Sequence, residues 1–169
     1  MSVFRRAPEP DAAVLFVCLG NICRSPTAEG VFRVAVERAG LAQRIRADSA
    51  GLGDWHVGSP PDRRAIQAAR RRGYDLTSLR GRQVEVADFR RFGWILAMDE
   101  TNMRALSDMQ PPDFGGHLGL LLDFAPELGL REVPDPYYGG PDGFDRVLDL
   151  IEASTAGLLA QLQATLARR

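Results

Sequence analysis

Cys18 and Arg24 flank the five residues Leu19-Gly20-Asn21-Ile22-Cys23, and Ser25-Pro26 follows at once. The apolar run Ala13 to Val17 lies before them, and a helix-periodic stretch lies after. A loop of this length between a strand and a helix can curl so that successive N–H groups point inward, forming an anion-binding nest. The helix adds its positive N-terminal end. Arg24 brings a planar fork able to hold two phosphate oxygens. Gly20 permits a tight backbone, and Asn21 tolerates a left-handed conformation. Positive surroundings favour a cysteine's thiolate over its thiol, and a thiolate beneath a bound phosphate is a nucleophile aimed at phosphorus. An inert, buried Cys18 would leave Arg24, Ser25 and Pro26 unexplained. No Gly-Lys-Ser/Thr follows the loop and Gly-x-Gly-x-x-Gly is absent from it, so it is neither a Walker loop nor a dinucleotide fingerprint.

The elements around this loop follow from hydrophobic period. Ala13 to Val17 is short, continuous and rich in β-formers, as in a parallel strand buried on both faces. Pro26 to Ala39 carries Ala28, Val31, Phe32, Ala35 and Val36 on one helical face, with Ser25 as N-cap and Gly40 as stop. Ile45 to Ser49 is a second strand, followed by a Gly- and Pro-rich loop to Pro61. Asp62 caps a helix to Arg72 that ends at Gly73. Trp94 to Met98 is a third strand, Glu100 to Asp108 a helix and Leu118 to Leu122 a fourth strand. A turn-rich loop from Gly129 to Gly143 leads into a long amphipathic helix, Phe144 to Ala167. Alternating strands and helices predict a three-layer α/β fold. Its four-stranded, mainly parallel sheet is flanked by helices on both faces, as in flavodoxin- and Rossmann-like proteins. Sites in such sheets form at the carboxyl ends of strands, and the Cys18 loop and Asp99 fall there.

Composition bounds the function. The chain has 169 residues, a formal net charge of −1, 45% apolar and 25% charged residues. One domain over 13–169 is expected, behind a disordered tail at 1–12. The near-neutral balance gives no electrostatic reason for nucleic-acid binding. Arg70-Arg71-Arg72 reads as a solvated helix face. No apolar run reaches membrane-spanning length, and Met1 to Ala12 lack the apolar stretch of a signal peptide, so a cytoplasmic location without membrane binding is expected. Cys18 and Cys23 are the two cysteines, too few for a disulfide framework. With His56 and His117 they do not make a zinc-site spacing, both histidines read as ordinary loop residues, and no metal or cofactor is implied.

The stretch Val14 to Glu29, VLFVCLGNICRSPTAE, resembles the signature of the low-molecular-weight protein tyrosine phosphatases. The resemblance continues through Asp48-Ser49-Ala50-Gly51 with Trp55, Gly58 and Pro60-Pro61-Asp62. It continues again through Arg82-Gln83-Val84, Met98-Asp99-Glu100-Thr101-Asn102 and Asp135-Pro136-Tyr137-Tyr138-Gly139, covering about residues 13 to 165 in the family's order. It implies a protein-tyrosine-phosphatase, a phosphoric monoester hydrolase acting on phosphotyrosine proteins and small aryl phosphates through a phosphocysteine on Cys18.

A thiolate cannot efficiently expel an alkoxide or phenolate unless an acid protonates the leaving oxygen. The resemblance implies that Asp135 is this acid, and later the base on water; by itself, an Asp before Pro136 is a common turn residue. It also implies that Ser25 donates a hydrogen bond to the Cys18 thiolate and that Asn21 is held by Ser49. Asp99 either orients the loop or Arg24 from behind, or caps the helix beginning at Glu100. Leu19, Ile22, Trp55, Tyr137 and Tyr138 would wall an apolar slot that accepts a phenyl ring and excludes phosphoserine. Tyr137 is the stronger wall of the two tyrosines, and Trp55 has a core role as its alternative. A related branch acting on phosphoarginine carries Thr at the position of Ile22, so Ile22 argues for phosphotyrosine. Cys23 is either a small buried residue or a redox partner that forms a reversible disulfide with Cys18. Arsenate reductases of the same fold that use a downstream cysteine relay find none after Cys23. A phosphoprotein-binding module that has lost catalysis would lack Cys18, Arg24 or Asp135. A monomer or weak homodimer is expected.

Overall fold

The fold is that of a computed structural model, described over residues 8–140 and 142–168. Its strands are β1 (Ala12–Cys18), β2 (Ile45–Gly51), β3 (Trp94–Ala97) and β4 (His117–Leu120). Its helices are α1 (Arg24–Arg38), α2 (Arg63–Arg71), the short α3 (Asp88–Arg91), α4 (Glu100–Met109) and α5 (Asp142–Ala167). The strands form one sheet in the order β2-β1-β3-β4, and every pairing is parallel. "Mainly parallel" thus becomes wholly parallel among the described residues.

The central strand explains its own composition. Val14 and Phe16 join the core beneath α1 and α5, and Leu15 and Val17 join a second core with Phe89, Phe92 and Leu106 of the α3–α4 side. All four are fully buried, so both faces must be apolar and the period of two disappears. Phe16 meets Phe32 of α1 edge to face, with ring centroids 5.6 Å apart. The chain leaves β1 for β2 on one side and returns past it to β3 on the other, so β1 lies at the topological switch point. The crevice at its carboxyl end is where such sheets bind ligands, and Cys18 is the last residue of β1.

Several boundaries differ from the sequence expectation. Residues 1–7 of the expected tail lie outside the described residues. The rest of the tail is shorter than expected, because Ala12 pairs with Ile45 and the Asp11 N–H donates to the Arg44 carbonyl. Helix α1 begins at Arg24, so Ser25 lies inside the first turn and is not the N-cap. Cys23 occupies that position and gives no side-chain cap. Asp62 does cap α2, accepting from the Arg64 N–H. Leu121 and Leu122, expected at the end of β4, turn into a 3-10 helix, Leu121–Phe124, whose side chains remain in the core. No helix among the described residues is long and apolar enough to cross a membrane.

Helix α5 closes one face of the sheet and lies hard against the turn after β4. A Cβ at Gly157 would collide with the Phe124 carbonyl oxygen, a contact with backbone that cannot rotate away. Gly157→Ala should therefore lower stability by about 1–3 kcal/mol from overpacking, outweighing the ~1 kcal/mol gained in helix propensity. Urea unfolding checks this, and an unchanged or raised midpoint would contradict it.

Candidate active site

Residues 19–23 connect β1 to α1. Asn21 adopts φ 57°, the only described non-glycine residue with positive φ. Its side chain is buried and organises the loop from beneath. The Asn21 Oδ1 accepts from the Arg82 backbone N–H at 3.0 Å, which orients the amide. The Nδ2 then donates to Ser25 Oγ at 2.8 Å and to Ser49 Oγ at 3.0 Å. Ser49 passes its own proton on, donating to Glu29 Oε1 at 2.7 Å. Ser25 Oγ, already accepting from Asn21, has its proton left for Cys18 Sγ at 3.0 Å; the Ala50 carbonyl is farther, at 3.4 Å. With the Ser25 proton on its nearer acceptor, the chain ends by offering a proton to sulfur. Burial pushes the Glu29 carboxyl up, while the Ser49 hydroxyl and the Arg33 guanidinium act against that rise.

The missing side-chain cap on α1 acquires a meaning here. The first turn of a helix holds N–H groups without intrahelical partners, and α1 begins where the Cys18 loop ends. Leaving the cap position to Cys23 keeps that positive end open to an anion.

Arg24 is 3% exposed. Its Nη1 donates to Asp99 Oδ2 at 2.7 Å and to the Val133 carbonyl at 3.0 Å. Its Nη2 lies 3.7 Å from Asp135 Oδ2. The two roles foreseen for Asp99 coexist, since its other oxygen, Oδ1, caps α4 by accepting from the Asn102 N–H at 2.7 Å. Asp135 is 42% exposed at its side chain. Its Oδ1 accepts from the Tyr137 N–H at 3.0 Å, a local turn bond that leaves Oδ2 toward Arg24. The turn role of Asp135 is thus real and orients its carboxylate.

Cys18, Leu19, Gly20, Ile22, Cys23, Arg24, Trp55, His56, Asp135, Tyr137 and Tyr138 line one cleft of about 320 Å³. Every residue anticipated as a wall is present. Trp55 is 66% exposed, which removes its core alternative, and Tyr137 at 39% is more enclosed than Tyr138 at 92%. The two tyrosine rings meet edge to face, with centroids 4.8 Å apart. Ser49 and Asp99 stand behind the cleft. The thiols of Cys18 and Cys23 are both free and buried. Burial first, then the charges of Asp62, Cys18 and Asp135, pushes the Cys23 thiol up to about 12, so the loop's second cysteine stays protonated.

One cleft residue was missed. His56, expected to be an ordinary loop residue, lines the cleft, and its Cδ2 would stand 3.2 Å from a Cβ at Gly20. Its position next to Trp55 was the available signal. His117 instead packs against Trp94 and Phe124. Arg64 donates to the Tyr137 carbonyl at 3.1 Å; a residue 73 positions away gave no sequence signal.

Comparison with known proteins agrees with this geometry. The family model described as low molecular weight phosphotyrosine protein phosphatase matches residues 13–168. The low molecular weight protein-tyrosine-phosphatase YfkJ of Bacillus subtilis is 44% identical over 151 residues, spanning 89% of this chain and 96% of that one. The crystal structure of a protein tyrosine phosphatase from Entamoeba histolytica superposes with a TM-score of 0.87 at 39% identity, covering 91% of this chain and 98% of that one. The crystal structure of a Drosophila arginine phosphatase superposes with a TM-score of 0.83 at 34% identity, covering 88% and 96%. With a match across nearly its whole length, this chain belongs to the low molecular weight phosphotyrosine protein phosphatase family.

Proposed function

We propose that the protein hydrolyses phosphotyrosine in proteins, and small aryl phosphates, with Cys18 as nucleophile, Arg24 as phosphoryl clamp and Asp135 as general acid and base. The observation that carries this reading is the convergence in one cleft of Cys18 Sγ, with Ser25 Oγ 3.0 Å away, and the Arg24–Asp135 pair. In the first step the Cys18 thiolate forms an S–P bond as the P–O bond to the tyrosyl oxygen breaks. Asp135 gives its proton to that oxygen. In the second step Asp135 takes a proton from water as the water oxygen bonds to phosphorus and the S–P bond breaks, releasing phosphate. Arg24 Nη1 is committed to Asp99 and the Val133 carbonyl, so the rest of its fork serves the phosphoryl oxygens. The amides of residues 19–25 spread stabilisation over the equatorial charge. The Ser25 hydroxyl stabilises the sulfur anion both before attack and as it leaves.

The cleft walls support an aromatic phosphate. Leu19, Ile22, Trp55 and Tyr137 offer apolar faces above the loop, suited to a flat ring on a stem long enough to reach Cys18. The likeness to an arginine phosphatase favours a second reading, phosphoarginine, and the bulk and apolarity of Ile22 weigh against it. Cys23 stands in this reading as the redox guard of Cys18. Peroxide would convert the Cys18 thiolate to a sulfenic acid, and the Cys23 thiol would condense with it, releasing water and leaving a disulfide that a thiol reductant reopens. The near-neutral net charge supports protein rather than nucleic-acid partners, and the reading includes a cytoplasmic monomer or weak homodimer.

Turnover of p-nitrophenyl phosphate should proceed without added metal and with chelator present. Cys18→Ser should abolish it while inorganic phosphate still protects the fold in thermal unfolding. Survival of activity in that variant would eliminate the covalent mechanism. Asp135→Ala should slow phenyl phosphate by about 10²-fold or more and p-nitrophenyl phosphate far less, because the better leaving group needs less protonation. An equal loss on both would remove Asp135 from the acid role. Phosphotyrosine, phosphoserine and phosphoarginine peptides of one sequence, compared by kcat/KM, should rank phosphotyrosine first; a phosphoarginine preference would install the second reading.

A further inference from the structure

The segment bearing Asp135 is held by little of its own. Val133 is secured, its N–H donating to the Met98 carbonyl and its carbonyl accepting from Arg24. Beyond it, Tyr137 N–H to Asp135 Oδ1 and Gly139 N–H to the Pro136 carbonyl are bonds internal to the turn. Among the described residues, one hydrogen bond reaches 134–139 from elsewhere in the chain: Arg64 Nη1 to the Tyr137 carbonyl. The 3.7 Å approach of Asp135 to Arg24 is an ion pair rather than a hydrogen bond.

Arg64 is equipped for that task. Its Nε and Nη2 grip the two oxygens of Asp62 at 3.0 and 2.9 Å, a fork-on-fork pair that fixes the guanidinium plane and leaves Nη1 for Tyr137. The plane also lies over the rings of Tyr137 and Phe144, 5.4 and 4.8 Å from their centroids. Asp62 is tied in turn to the catalytic loop, its backbone N–H donating to the Ile22 carbonyl at 2.8 Å. A continuous path therefore runs from Ile22 through Asp62 and Arg64 to Tyr137, whose N–H orients the Asp135 carboxylate. The Arg64 guanidinium holds the Asp62 carboxyl below its ordinary range, which keeps the pair ionised in mildly acidic solution. As a merely solvated helix-end cation, Arg64 would not hold both a neighbouring carboxylate and a distant carbonyl.

We propose that Arg64 is a positioning residue for the general acid, a strap that fixes Asp135 at working distance from Cys18 by holding the Tyr137 peptide against the catalytic loop. This rests on Asp135 being the acid. Without the strap, the turn drifts, and the proton arrives late on the leaving oxygen. The loss then grows with the basicity of that oxygen, while phosphate capture by Arg24 and the loop is untouched.

Arg64→Met keeps an apolar stem over Phe144 and removes the donors, so it probes the bonds rather than the packing. It should lower kcat/KM for phenyl phosphate about tenfold and for p-nitrophenyl phosphate no more than about threefold. Competitive inhibition by inorganic phosphate should not change. In an Asp135→Ala background, Arg64→Met should cost nothing further, because the group it positions is gone. Arg64→Lys, which keeps a donor but not the fork, should recover part of the loss. Equal losses on both substrates, weakened phosphate inhibition, or effects that multiply with Asp135→Ala would each overturn the strap. The acid assignment fails separately, if Asp135→Ala itself leaves the dependence on leaving group unchanged.

Discussion

A buried guanidinium holds the active site together. Arg24 begins α1, yet one of its nitrogens binds both the carboxylate that follows β3 and the carbonyl at Val133. Three chain segments distant in sequence are thereby referred to one cation. Taking such a charge out of water is costly unless its partners are in place, so Asp99 and Val133 are conditions for Arg24 being there at all. Asp99 meets that condition while capping α4, which ties the clamp's orientation to the end of β3 and to the sheet. The guanidinium fork is rigid because one half of it is already occupied.

The nucleophile depends on a different kind of interaction, a chain of side-chain hydrogen bonds with a direction. The backbone N–H of Arg82 orients Asn21, Asn21 donates to two serines, and Glu29 takes the proton that Ser49 would otherwise contest. Ser25 is then left facing Cys18 as a donor. Asn21 pays for this with a left-handed backbone, and asparagine is among the few side chains that occupy that region readily. Positive charge in front and a polarised donor behind act on one sulfur. Meanwhile Cys23, in the same loop but pressed into burial and acidic neighbours, stays a thiol.

Local patterns made much of this legible. The apolar run of β1, the helix period of α1 and the Asp62 cap depend on neighbours a few positions away, and the structure follows them. The error at Ser25 is instructive. A serine before Pro26 has the sequence of an N-cap, but its hydroxyl is drawn to sulfur and to Asn21, and the helix starts two residues earlier. Asp99 was ambiguous for a good reason, since a carboxylate has two oxygens and uses both.

The amino-acid sequence by itself determined the chemistry on offer: a cysteine and an arginine at loop spacing between a buried strand and a helix, with an Asp-Pro-Tyr-Tyr turn far downstream. Loop spacing and hydrophobic period are short-range properties, and they survive in a one-dimensional record. Only the tertiary structure decided which groups complete the site. The parallel order β2-β1-β3-β4 brings Asp99 to Arg24 across 75 positions, Val133 to Arg24 across 109 and Arg64 to Tyr137 across 73. It also turns His56 into the cleft wall against Gly20. Such contacts carry no local signature, because sheet crossovers and loop packing set them rather than the residues on either side.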